Sequence, residues 1–256
     1  MKNNILTFTI IFCLLILNSR GQDKPDTTEL SKNRLKSVII GEGILFTTTM
    51  TGLYSLWYKD YPMSGFHFYN DNGEWMQVDK VAHLGASYFI GKLGYETLKW
   101  AGVKEKQAIF IGGSTGSIFL LTVEILDGFS DGWGFSLGDF AANSLGSAMF
   151  IGQQLFWKEQ RIVFKFSTHL TEYQQYRPDV LGSNLPQRIM KDYNGWTFWL
   201  SANINSFFPR NTITPKWLNI AFGYGAEGMI GGYDNPAFHK EIQMPYFERY
   251  RQYYLS

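Results

Sequence analysis

The chain has 256 residues, a formal net charge of +1, 17% aromatic and 18% charged residues, and a single cysteine. This balance offers no basic surface for a polyanion, which excludes nucleic acid as a partner. With Cys13 as the one thiol, a disulfide framework and a cysteine metal site are excluded as well.

At the N-terminus, Lys2 precedes an apolar run over residues 5–17, and Ser19-Arg20-Gly21 follows. The pattern predicts a secretory signal peptide over residues 1–21, cleaved before Gln22. The run is too short to cross a bilayer comfortably. Cys13 lies inside it, with Leu14-Leu15-Ile16-Leu17 after it, a poor setting for lipid attachment. Loss of Lys2 and Arg20 takes the formal charge from +1 to −1. The predicted destination is the cell envelope, periplasmic or membrane-associated, with a membrane or envelope lipid as the expected partner.

Residues 22–36 form a polar leader. Residues 37–58 are apolar apart from Glu42, and residues 59–78 form a polar, aromatic loop with a turn signal at Asp71-Asn72-Gly73. Residues 81–100 have helical period and carry Lys92, Glu96 and Lys99 near their far end, whereas residues 107–123 and 140–157 are uncharged. The expected fold is therefore mainly α: a four-helix bundle of membrane-like apolar helices over residues 37–157, followed by a mixed, partly helical C-terminal appendage over residues 158–256. Gly112 and Gly116 are spaced for close helix packing, as are Gly138, Ala142 and Gly146. If the signal were cleaved and four helices crossed a membrane, Lys24, Lys32, Arg34, Lys36, Lys104, Lys106, Lys158 and Arg161 would all face outward. That reverses the positive-inside rule, so the bundle is expected to be periplasmic or membrane-peripheral.

In the appendage, Ile162-Val163-Phe164-Lys165-Phe166 alternates as a short strand does. Asn184-Leu185-Pro186 caps a helix that runs to Tyr193. Trp196, Trp199, Leu200, Ile204 and Phe207 share one helical face, and Thr214-Pro215 is a further helix start. Residues 217–230 read equally as helix or strand, because Gly223, Gly225 and Gly228 weaken a helix there. The Tyr-rich end of the chain is expected at the surface.

One group of residues suggests a site. Antiparallel helices joined by short loops bring Asp79-Lys80-x-x-His83, Glu124-x-x-Asp127 and Ser136-x-x-Asp139-x-x-x-Asn143 to one end of a bundle. Asp79 and His83 share a helix face, and a carboxylate beside an imidazole raises its basicity. Asp79 also fits the role of a helix-start cap, and Ser136 with Asp139 reads as a capping box. His83, Glu124 and Asn143 have no such structural explanation. Each lies about one turn from a helix end, so a rise of ~1.5 Å per residue puts them at one level. A buried acid at a helix C-terminus opposes the dipole, so Glu124 needs Lys80, His83 or a cation as partner. The glycine-rich segment 128–138 is suited to wrapping a ligand.

These motifs, from about Trp75 to Trp157, resemble the YfiM-like predicted periplasmic lipoproteins, an uncharacterised family. They are also remotely similar to VanZ-like membrane proteins, with Asp127 standing where those would carry glutamine. The resemblance implies an envelope location and a helical architecture, and no particular reaction. The reading is an envelope protein with a polar site at one end of a helical bundle, binding or processing a lipid or cell-wall precursor headgroup. His83 and Glu124 are the candidate catalytic pair. Asp79, Lys80, Asp127, Asp139 and Asn143 are the candidate ligand-binding residues. Metal and cofactor are left open. The alternative is a non-catalytic structural or interaction protein whose polar cluster fixes helix register.

Overall fold

The computed structural model describes residues 30–59, 61–208 and 214–256. The expected signal peptide, Cys13 and the start of the polar leader lie outside these residues. Helix α1 spans Lys32–Leu53 and begins within the expected leader, with Ser31 Oγ accepting from Arg34 N–H at its start. A π-helical turn at Tyr54–Tyr58 continues it. Then come α2 (Val78–Trp100), α3 (Glu105–Gly128) and α4 (Leu137–Trp157).

The protein is mainly helical, and of the four helices expected to be membrane-like, one has that character among the described residues. Three helices pack tightly and α1 lies beside them. Glycine explains the difference. A Cβ on Gly112 would stand 2.3 Å from Tyr95 N, one on Gly116 2.1 Å from Ser87 O, and one on Gly146 2.1 Å from Leu84 O. These positions let the α2, α3 and α4 backbones approach to a distance that any side chain would prevent. No such contact meets Gly41, Gly43 or Gly52 of α1, which have nothing within 4 Å of a built Cβ. Val38 is the only residue α1 buries. It joins a small cluster with Leu98, Ala101 and Ala108. Among the described residues α3 alone is long and apolar enough to cross a membrane, and a third of its apolar window is buried.

Entry into α2 is unusual. Trp75, Met76 and Gln77 are three consecutive non-glycine residues with positive φ, at 47°, 51° and 66°. Each such residue costs roughly 1–2 kcal/mol. The surroundings hold them. Trp75 N–H donates to Gly232 O at 2.8 Å, Tyr224 OH donates to Met76 O, and Arg251 donates to Gln77 Oε1 at 2.6 Å.

After α4 the chain forms β1 (Ile162–Thr168), α5 (Pro178–Leu181), α6 (Leu185–Lys191), β2 (Trp196–Asn203) and β3 (Asn219–Glu227). The short hairpin β4 (Phe238–His239) and β5 (Ile242–Gln243) precedes β6 (Tyr250–Leu255). An antiparallel sheet takes the order β1-β2-β3-β6. The strand expected near Ile162 forms, as does the helix capped by Asn184, whose Oδ1 accepts from Gln187 N–H at 3.1 Å. The helical reading of residues 196–207 is corrected: Trp196 to Asn203 is a central strand. Trp-Thr-Phe-Trp is strongly strand-forming, and pairing on both sides decides it. No helix starts at Thr214-Pro215, where a turn leads into β3. Glycines in β3 leave room for its neighbours, as at Gly223, where Trp199 packs. The sheet is no separate appendage in its packing: Phe164, Phe198 and Met229 share one core with Val78, Tyr88 and Phe150 of the helices.

Candidate functional site

The described structure brings the three sequence motifs to one place. His83 Nδ1 lies 3.1 Å from Asn143 Oδ1 and 3.6 Å from Glu124 Oε1. Three residues from three helices thus meet at one imidazole edge, at the common depth their positions imply. Glu124 and Asn143 are each 1% exposed. Glu124 Oε1 and Asn143 Nδ2 have no hydrogen-bond partner. On its other edge, His83 Nε2 lies 3.9 Å from Asp79 Oδ1 and 3.8 Å from Asp139 Oδ1.

Lys80 occupies the centre of the acidic residues. Its Nζ is 2.8 Å from Asp71, 3.2 Å from Asp79 and 2.9 Å from Asp139. Asp79 does not cap α2 as expected, since the left-handed Gln77 at the N-cap position has no side-chain cap bond. Asp79 instead takes Lys80 on Oδ2 and the Tyr193 hydroxyl on Oδ1, at 2.8 Å. Only half of the capping box forms. Ser136 Oγ accepts from Asp139 N–H at 3.0 Å, but the reciprocal bond, from Ser136 N–H, goes to Glu124 Oε2 at 3.2 Å. Ser136 OH donates in turn to Asp71 Oδ1 at 2.5 Å. Asp127 stands apart from the histidine and accepts from Tyr58 OH at 2.5 Å.

Buried carboxylates outnumber the cations that face them, and their acidities show it. Burial, reinforced by Asp139 and Asp127 against the opposing pull of His83, pushes Glu124 up to about 8. Burial raises Asp127 to about 6. Burial, with Asp79 beside it, raises Asp139 to about 7. Burial works against charge on His83, yet Asp79, Asp139 and Glu124 outweigh it and raise the imidazole pKa above its ordinary value. Lys80 is likewise held charged: burial is overcome by Asp79, Asp139 and Asp71.

Three contributors carry no sequence signal of function. Asp71 reads as part of a turn, Tyr58 as the end of an apolar helix, and Tyr193 as a helix terminus. Only the fold shows that they reach this centre.

Two cavities meet there. One, of about 380 Å³, is lined by Glu124, Asp127, Asp139, Glu74 and Tyr58 among others. The other, of about 460 Å³, runs between α2 and the sheet past Ala86, Phe89, Phe166 and Phe198, and its walls are almost wholly apolar. Trp57, Asp79, His83, Leu120 and Tyr193 line both. The arrangement can therefore take a polar group against carboxylates and imidazole while an attached apolar group lies along the sheet.

Residues 67–153 match the family described as predicted periplasmic lipoprotein (DUF2279). The matched segment holds every site residue that the sequence motifs supplied. The protein is a cell-envelope protein, periplasmic or membrane-associated. No curated protein and no solved structure matches the chain.

Proposed function

We propose that the protein binds an amphiphile of the cell envelope, a lipid or a lipid-linked cell-wall precursor. The headgroup sits among His83, Glu124, Asp127 and Asp139, and the apolar part lies along the sheet. The observation that carries this reading is the shared wall of the polar and apolar cavities. Neither cavity alone distinguishes an amphiphile; their junction at His83 and Asp79 does.

Two further features support it. The outer faces of the helices leave Ile39, Ile44, Ile111, Ile118, Leu145 and Phe156 exposed. A surface this apolar suits contact with a membrane, where such ligands reside. The order of motifs, similar to that of VanZ-like membrane proteins, points the same way. The excess of buried carboxylate favours a headgroup that donates hydrogen bonds or arrives with a cation.

Lipid extraction and mass spectrometry of the full-length protein, purified in mild detergent, test the proposal. Wild type is expected to carry a defined amphiphile. Ala86→Trp, which fills the apolar cavity, is expected to lose it with the fold intact by circular dichroism. Retention of the same amphiphile by Ala86→Trp, or its absence from wild type, overturns the reading. The competing reading, a cluster that only fixes helix register, rests on the triple ion pair of Lys80. It predicts no bound molecule.

A further inference from the structure

The two edges of the His83 ring face different chemistry. Nδ1 faces Asn143 Oδ1 and Glu124 Oε1, at 3.1 Å and 3.6 Å. The Asn143 amide oxygen can only accept, which makes Nδ1 the protonated nitrogen of the neutral ring. The lone pair is then on Nε2, which faces Asp79 Oδ1 and Asp139 Oδ1 at 3.9 Å and 3.8 Å. Neither contact is a hydrogen bond, so a cation bridging Nε2 and the two oxygens would complete this arrangement; Lys80 Nζ, 2.9 Å from Asp139 Oδ1, supplies part of the compensating charge.

The spacing suits such a cation. The three ligand atoms lie within 4.8 Å of one another. An ion at the centre of a triangle of this size is about 2.2–2.5 Å from each corner, within ordinary reach for imidazole and carboxylate ligands. A second observation is independent of the triangle. Glu124, buried to 1% exposure, aims an otherwise unpartnered Oε1 at the far nitrogen of the same ring. A buried carboxylate behind a histidine is the support that metal-bound imidazoles characteristically have, because it orients the ring and raises its donor strength.

We propose that Asp79, His83 and Asp139 bind one divalent metal ion of the class that accepts both imidazole and carboxylate, represented by Zn²⁺ and Mn²⁺. Glu124 and Asn143 orient the histidine from behind. Lys80 holds Asp79 through Oδ2 and leaves its Oδ1 for the ion, and Lys80 Nζ, 2.9 Å from Asp139 Oδ1, shares that oxygen with it. Tyr193 OH, already 2.8 Å from Asp79 Oδ1, fixes that oxygen from the other side. The site stands whether or not an amphiphile binds.

The test uses full-length protein in mild detergent, stripped with a chelator and dialysed against Zn²⁺ or Mn²⁺ alone. Elemental analysis is expected to show one equivalent per chain, and X-ray absorption of the zinc form to show one imidazole among oxygen ligands. His83→Ala and Asp139→Asn are expected to weaken binding at least about tenfold. His169→Ala, which removes a histidine outside the cluster, is expected to leave it unchanged. Substoichiometric metal in wild type, a zinc spectrum without imidazole, or undiminished binding by His83→Ala overturns the site. A proton on Nε2 would then be the cation the two carboxylates hold. The wild-type absorption spectrum decides the question even where a variant does not fold.

Discussion

Glu124 caps a helix other than its own: its Oε2 accepts the backbone N–H of Ser136, the N-cap residue of α4, at 3.2 Å. The bond ties the end of α3 to the start of α4 across the glycine-rich loop. It also explains why an acid is tolerated at the end of α3, where the helix dipole opposes it. The positive end of α4 supplies what the negative end of α3 withholds.

Removing that acceptor should destabilise the protein. Ser136 is 1% exposed, so Glu124→Leu leaves a buried N–H without a partner. The expected loss is about 1–3 kcal/mol, read by urea denaturation. Glu124→Gln keeps an acceptor and removes a carboxylate whose charged form burial disfavours, so its stability should stay close to wild type. Equal losses in the two variants would show that the cap bond contributes little.

Asp127 should give the protein a distinct pH response. Its folded pKa, raised to about 6 by burial, lies above the unfolded value. The folded state therefore binds the proton more tightly. The resulting stabilisation is fully present below about pH 4 and is lost as pH rises through about 6. Asp127→Asn cannot titrate and can still accept from Tyr58. Its stability relative to wild type should improve by about 1–3 kcal/mol between pH 4 and pH 7.5. Parallel denaturation curves at the two pH values would refute this.

The helix crossing makes a sharper prediction. Gly116→Ala places a Cβ 2.1 Å from Ser87 O, far inside contact distance. Backbone cannot yield as a side-chain tip does, so the expected cost is at least about 1–3 kcal/mol. Gly152→Ala, with nothing within 4 Å of its Cβ, should be neutral or slightly stabilising. Thermal melts of the pair separate close packing from helix propensity.

Lys158 ends α4 with φ of 59°. Glycine adopts that conformation freely, so Lys158→Gly should raise stability by about 0.5–1 kcal/mol, measured by thermal denaturation. The side chain is exposed, and no packing is lost with it.

The convergence at the candidate site was legible where polar residues followed helix periodicity. His83, Glu124 and Asn143 stand out because polar groups interrupt apolar helices at equal depth, and the glycine rows foretell the α2–α3–α4 crossing. Asp71, Tyr58 and Tyr193 were not legible, because they reach the centre from segments with no period relating them to it. The strand at Trp196 was not legible for a related reason. Trp196, Trp199, Leu200, Ile204 and Phe207 have helical spacing, while pairing with β1 and β3, which spacing does not encode, makes Trp196 to Asn203 a strand. Asp79 and the Ser136–Asp139 box show a third limit. Local rules propose caps within one helix, but here a tyrosine and a glutamate from elsewhere take over those bonds.

The left-handed turn at Trp75 to Gln77 has a mechanical consequence. Tyr224 of β3 and Arg251 of β6 grip Met76 and Gln77, three and two residues before Asp79. The turn is thus a short rigid link between β3 and β6 and the carboxylate beside His83. A shift of those strands would be delivered to Asp79 as displacement rather than absorbed as slack. The sheet that walls the apolar cavity is in this sense also the handle by which the polar centre can be set.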